Sequence, residues 1–267
     1  MQCARTVAIV LREVYLIRGS FSRILPLFVW AGVDIVLWGF ITKYLNSITS
    51  SGFDFVPALL GAVLLWDFLT RVMQGVTMTF FEDVWSRNFL NIFATPLSIT
   101  EYLTGLVLSS IGTSAVGLAV MVLLATMLFG LSFFVYGVML VPFFLVLFMC
   151  GIALGILGSG TVLRLGPPAE WFIWPIPAII SPFVGVFYPL STLPPWMHYV
   201  ARALPPSYVF EGMRAVVHGE SASPRLLLLG ACLAVLYILL ACWFFARVYR
   251  YAVRTGLIAR YSAETLS

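Results

Sequence analysis

Charge is what this chain has least of: Asp, Glu, Lys and Arg make up 10% of its 267 residues, against about a quarter in an ordinary soluble domain. A water-soluble globule is excluded on that ground. Histidine occurs twice, at His198 and His218, too few for a metal cluster or a HExxH zinc motif. The four cysteines (Cys3, Cys150, Cys232 and Cys242) form no CxxC pair. Three of them stand in apolar stretches, where a thiol behaves as a small hydrophobe, so neither a disulfide framework nor a metal role is expected. No GxxxxGK(S/T) stretch is present, so the chain has no phosphate loop with which to use ATP itself. The first residues do not follow the pattern of a basic end, a clean apolar run and a small-residue cleavage site, and no signal peptide is expected to be removed.

What fills the chain instead is apolar: 61% of residues are hydrophobic and the mean hydropathy is +1.03. That excess cannot be hidden in one core of this size, so much of it must face lipid. In lipid each backbone group needs an internal partner, which leaves helices or closed barrels. Long unbroken apolar runs are not the alternating strands of a barrel. An all-α, polytopic membrane protein follows.

Six stretches approach the ~20 apolar residues a spanning helix needs: 24–44, 56–80, 102–129, 133–162, 171–188 and 226–248. An even number of spans puts both termini on one side. Ten of the fifteen basic residues, among them Arg5, Arg12, Arg18, Arg23, Arg87, Arg164 and Arg247, fall at that side, which the positive-inside bias makes cytoplasmic. The net charge of +4 thus reads as orientation signal, with no nucleic-acid partner. Before the first span, Val7, Val10, Leu11 and Val14 recur at helical spacing with Arg12, Glu13 and Arg18 between them, which predicts a helix in the cytoplasmic headgroup layer over residues 1–23.

Ten of the fifteen prolines lie between Pro167 and Pro206. Each removes a donor and clashes with the preceding turn, so this region is expected to be broken and re-entrant, facing protein or a pathway rather than lipid. Ionisable residues inside spans are the other departure from uniformity. Asp34 in the first span and Asp67 with Arg71 in the second would each cost roughly 2.5–3.5 kcal/mol at the membrane centre. Asp67 and Arg71 share a helix face and neutralise one another, either as a structural pair or as the lining of a polar pathway.

The connection after the second span carries Glu82, Asp83, Arg87 and Leu90, then Thr95, Pro96, Ser98 and Glu101. Asp83 and Arg87 have i, i+4 spacing, Pro96 stops a helix, and Ser98 with Glu101 forms a capping box for the next. A short amphipathic helix with a docking surface is expected there. Enzymatic readings find little support. Ser159 lies between Gly158 and Gly160 with no histidine in any predicted span to act as its base, and small residues for close helix packing explain it better. Glu82 and Asp83 are adjacent and hence on different helix faces.

Beyond the fifth stretch the sequence reads Phe187-Tyr188-Pro189-Leu190-Ser191-Thr192-Leu193-Pro194-Pro195-Trp196, then Leu204-Pro205-Pro206-Ser207-Tyr208-Val209-Phe210-Glu211-Gly212-Met213-Arg214. An aromatic-Pro-Leu, a Leu-Pro, an aromatic, and then a Leu-Pro with Glu-x-x-Arg resemble the signature of type-2 ATP-binding-cassette (ABC) exporter permeases. The stretch from Glu82 through Arg87, Leu90 and Pro96 to Glu101 resembles the same family's loop after the second span. Glu211 and Arg214, three apart, are read as an ion pair at the outer rim.

The resemblance implies a single transmembrane permease domain over residues 1–267. It has six transmembrane helices, an interfacial helix (1–23), a cytoplasmic coupling loop (81–101) and a Pro-rich re-entrant outer hairpin between spans five and six (189–223). It implies an export subunit of the bacterial inner membrane, with both termini cytoplasmic, homodimeric or paired with a similar permease, and docked on a separate ABC ATPase. The chain itself would bind no cofactor, with ATP and Mg held by that ATPase. Glu82, Asp83, Arg87, Leu90, Pro96 and Glu101 would serve coupling. Few fixed charges and many aromatics suit an amphipathic cargo: a lipid, a lipid-linked glycan or a drug. The alternatives are a polytopic membrane enzyme acting on lipid, and a passive channel or scaffold.

Overall fold

The computed structural model describes residues 2–48, 55–86 and 88–257. Among them are eleven α-helices and no strand: α1 (Gln2–Arg18), α2 (Phe21–Ile48), α3 (Gly61–Trp85), α4 (Phe89–Phe93), α5 (Ile99–Phe129), α6 (Leu140–Leu165), α7 (Glu170–Ile173), α8 (Ile176–Val184), α9 (Pro195–Ala203), α10 (Pro205–Val217) and α11 (Pro224–Arg254). Five stretches of the described residues are long and apolar enough to cross a membrane: Phe28–Ile48, Val56–Trp85, Ile99–Phe129, Phe133–Leu165 and Pro224–Arg254.

Helices α3 and α6 form the centre because glycines on α6 admit α3 at close range. A Cβ added at Gly151 would lie 2.8 Å from Val72 Cβ, and one at Gly155 would lie 2.7 Å from Val76 Cβ. This is the small-xxx-small device of lipid-embedded helices, where close dispersion contact replaces the missing hydrophobic drive. Two hydroxyls add cross-helix bonds: Thr77 Oγ1 donates to the Gly155 carbonyl at 3.2 Å, and Ser110 Oγ of α5 donates to the Val72 carbonyl at 2.9 Å. Matching Val72 to Gly151 and Thr77 to Gly158 shows that α3 and α6 run parallel. Helices α2 and α5 run the other way: Arg23 meets Glu82 at one end, and Ile35, Leu60, Leu64 and Met121 share a buried cluster toward the other.

The lipid-facing surface is apolar by the same logic. Leu128, Val141, Leu228 and Leu239 are all more than half exposed, as suits helices whose backbone bonds are internally satisfied.

The ends of the helices carry their own signals. The capping box expected of Ser98 and Glu101 forms: Glu101 N–H donates to Ser98 Oγ at 3.2 Å and Ser98 N–H to Glu101 Oε2 at 2.8 Å. At the other end of α5, Gly130 takes a left-handed φ of 68°, the usual geometry of a helix stop. The fourth span begins as a 3-10 segment, Phe133–Met139, interrupted at Gly137. Tyr136 there donates to the Pro57 carbonyl at 2.5 Å, tying this corner to the start of the second span.

The fifth predicted stretch, 171–188, is not one helix. Helices α7 and α8 together cover Trp171–Val184, roughly 21 Å at 1.5 Å per residue, short of the ~30 Å hydrocarbon core. Trp174 and Pro175 separate the two, Pro177 stands in the first turn of α8, and Gly185, with φ of 64°, ends α8. Yet the chain must traverse the bundle here, because α6 and α11 also run parallel: Gly160 abuts Phe244 and Phe245, whereas Gly230 abuts Pro205 and Tyr208. Residues 2–23, 82–86, 88–101, 164–170 and 247–257 consequently share one end of the bundle, called here the α1 end, and α9 and α10 occupy the far end.

Candidate functional site

At the α1 end a charged cluster joins three helices. Asp83, fully buried on the last turn of α3, accepts from both guanidinium nitrogens of Arg12, with Arg12 Nη1 to Oδ2 at 2.9 Å. It also accepts from the Tyr102 hydroxyl at 2.6 Å. One carboxylate therefore fastens α1 to the α3–α5 corner. The neighbouring Glu82 points elsewhere, as adjacency on a helix requires, and pairs with Arg23 at 2.8 Å. Glu13 is 3% exposed and its Oε1, 3.6 Å from Arg12 Nη1, has no hydrogen-bond partner. Burial, opposed by Arg12 and reinforced by Asp83, pushes its carboxyl up to about 7.

Of the residues expected to serve coupling, Glu82, Asp83 and Glu101 are brought to this corner, Glu101 lying 3.6 Å from Arg5 of α1. Leu90 falls in the short helix α4 and exposed Pro96 in the turn that follows. Arg87 lies outside the described residues, so its i, i+4 pairing with Asp83 does too. Phe89 of α4 packs edge-on against Phe80 at 5.4 Å and Tyr102 at 6.1 Å, which holds the connection against the bundle. Glu13 and Tyr102 are not singled out by the sequence. Their roles arise from contacts between helices distant in the chain, for which no local signal exists.

Midway along the bundle, the intramembrane ionisable residues open onto a cavity of about 690 Å³ between α2, α3, α8 and the turn that precedes α8. Asp67 and Arg71 form the expected ion pair one turn apart. Asp34 lines the same cavity, beside Thr70, Gln74 and the rings of Trp30, Trp38, Trp66 and Trp174. Trp38 stacks on Phe187 with ring centroids 4.6 Å apart and planes inclined by 9°. The Arg71 side chain packs closely on a glycine of α5: a Cβ at Gly117 would sit 3.1 Å from Arg71 Cδ. Tryptophan and hydrogen-bonding groups thus alternate on both α2 and α3, with two carboxylates set against one guanidinium.

At the far end, Glu211 and Arg214 are paired at 2.7 Å and do more than neutralise each other. Glu211 Oε1 accepts from the Leu190 N–H at 2.9 Å, and Arg214 Nη1 donates to the Gly185 carbonyl at 2.6 Å. The two side chains therefore hold the 185–190 bend against α10. Tyr188 donates to the Pro182 carbonyl at 2.6 Å and Tyr208 to the Arg202 carbonyl at 2.7 Å. Pro189, Leu193, Pro194 and Pro205 stand at helix boundaries: Pro189 and Leu193 bracket a single 3-10 turn, Pro194 caps α9, and Pro205 begins α10. These tyrosines and prolines shape the chain, since a fixed φ and a missing N–H are tolerated at a helix start.

Comparison with known families decides the class. The family model described as ABC-2 type transporter matches residues 7–218, from α1 to the residue after α10. The chain belongs to the ABC-2 type transporter family. No curated protein sequence matches it. As an ABC-2 protein it is a multi-pass membrane permease subunit, a transport component that is not itself catalytic, in a family whose members work with an ATPase.

Ser159 is fully buried and its Oγ donates to the Gly155 carbonyl at 2.9 Å, so it is spent inside α6. Among the described residues, no three His, Cys, Asp or Glu side chains converge as a metal site would. Cys150 is buried, and Cys232 and Cys242 are exposed and unbridged.

Proposed function

We propose that this ABC-2 permease exports an amphipathic or hydrophobic cargo, a lipid, lipid-linked glycan or drug, as one half of a homodimer in a bacterial inner membrane, with both termini cytoplasmic. The observation that carries the reading is the mid-bundle cavity. Asp34, Asp67, Arg71, Thr70 and Gln74 offer hydrogen bonds to a polar head, while Trp30, Trp38, Trp66 and Trp174 offer faces to rings or chains. Such a mixed wall suits a molecule with both characters better than a small inorganic ion.

An ABC ATPase holding ATP and Mg would dock at the α1 end, against residues 81–101. Its closure would push on α4 and α1. Because Asp83 ties Arg12 and Tyr102 together, displacement of that corner would tilt α1, α3 and α5 as a unit. The broken backbone around Pro175, Pro177 and Gly185 supplies the compliance such a tilt needs.

The test is co-reconstitution in liposomes with a cognate ABC ATPase. The permease alone should hydrolyse no ATP; together the two should move an amphipathic fluorescent cargo only when ATP is present. Replacing Glu82 and Arg87 with alanine should uncouple hydrolysis from the permease, and Asp34→Asn should change cargo stimulation. Movement that continues in ATP-depleted vesicles would make the protein a passive channel and end the proposal.

A further inference from the structure

A second cavity, of about 540 Å³, lies at the α1 end between α6 and α11, remote from the mid-bundle cavity. Its walls are Arg164, Arg247, Trp243, Phe244, Val248 and Tyr251. Arg164 stands one residue before the end of α6, and Arg247 lies in the last two turns of α11. Both guanidinium groups are therefore placed where two spans leave the hydrocarbon. Among the described residues neither is paired with a carboxylate: the ion pairs use Arg5, Arg12, Arg23, Arg71 and Arg214. Arg247 instead lies over the Trp243 ring at 5.8 Å, which holds the guanidinium toward the cavity edge. Trp243 and Tyr251 are exposed beside it, as amphipathic rings at headgroup depth are.

Two like charges directed into one cleft repel unless an anion lies between them. The remaining walls are apolar and aromatic, so the anion that fits carries an apolar portion alongside its charge. We infer that this cavity binds the phosphate of an anionic phospholipid, the two arginines taking its oxygens and Trp243, Phe244 and Tyr251 flanking the start of its acyl chains. Guanidinium forks match phosphate oxygens in a way an ammonium does not, and basic pockets between spans are suited to acidic headgroups. Bound there, the lipid joins α6 to α11, the helices that flank the broken α7–α8 segment. The site rests on membrane embedding alone and does not depend on the cargo or on the coupling scheme.

The test is native mass spectrometry of the full chain released from micelles, titrated in parallel with phosphatidylglycerol, phosphatidylcholine and inorganic phosphate. Phosphatidylglycerol should be retained by the wild type, about fivefold less by Arg247→Gln alone and further less by R164Q/R247Q, as the loss of about 1 kcal/mol per arginine gives. R164K/R247K should recover only part of the retention, because an ammonium restores the charge without the fork, and R250Q/R254Q, at exposed positions off the cavity, should leave it unchanged. Equal phosphatidylglycerol retention by wild type and Arg247→Gln would overturn the inference. So would phosphatidylcholine held as strongly as phosphatidylglycerol, which would mark a merely apolar groove. Displacement of the lipid by an equal concentration of inorganic phosphate would mark a free-anion site and equally refute it.

Discussion

Asp83 and Arg12, 71 residues apart in the chain, meet in a two-point contact in which each carboxylate oxygen accepts from a different guanidinium nitrogen. Asp83 is wholly buried while Arg12 keeps 28% of its side chain exposed, so α1 is fastened from within by a charge that faces the membrane boundary from without.

Asp83→Asn should loosen that fastening. A hydrogen bond to a charged partner contributes about 1.5–3 kcal/mol, and the variant should lose stability of that order, with Tyr102 retaining a weaker acceptor. Thermal unfolding in detergent micelles measures it, and limited proteolysis should cut between α1 and α2 earlier than in the wild type. An unchanged midpoint together with unchanged cleavage would contradict the assigned role.

Glu13 predicts a pH dependence. Its carboxyl is raised from an ordinary 4.5 to about 7 in the fold, chiefly by burial, so between those values the folded chain holds a proton that the unfolded chain has released. This contribution to stability is complete below about pH 4.5 and is lost as pH rises through about 7. Glu13→Gln should match the wild type in acid and exceed it above pH 7, by on the order of 3 kcal/mol. Parallel unfolding curves at both ends of that range would show that Glu13 is not the group responsible.

Gly155→Ala should force α3 and α6 apart, because the new methyl would sit 2.7 Å from Val76 Cβ and 3.0 Å from the Met73 carbonyl oxygen. Overpacking of this kind costs about 1–3 kcal/mol. Gly112→Ala on α5, which meets nothing within 4 Å, is the matched control and should be neutral or slightly stabilising. Equal midpoints for the two variants would refute the close approach of α3 and α6.

Arg71→Gln would leave Asp67 facing the mid-bundle cavity without its ion-pair partner. The double variant D67N/R71Q removes that charge as well, so it should be more stable than the single one, with a coupling of roughly 1–3 kcal/mol between the two sites. Strict additivity in a thermal double-mutant cycle would mean that the pair contributes nothing to the fold.

Much of the architecture is legible from local properties. Apolar runs, the Ser98–Glu101 capping box and the Asp67–Arg71 and Glu211–Arg214 spacings each need only a few neighbouring residues, and each appears as the spacing requires. The fifth stretch shows where local reading falls short. Prolines announce a break, but whether the pieces cross, return or lie flat depends on what packs around them. The i, i+4 rule likewise looks only along the helix from Asp83 and cannot reach Arg12 and Tyr102, which the fold brings to it.

By itself, then, the sequence determined the solvent of this protein, its helical class and the few polar residues its spans carry, because composition and period are properties of short segments. Only the tertiary structure decided which charges meet: Arg12 with Asp83, Asp34 beside Asp67 and Arg71, Arg164 across a cavity from Arg247. Those meetings depend on how parallel and antiparallel helices come into register, and that register is set by glycine contacts and buried hydroxyls distributed over the whole chain.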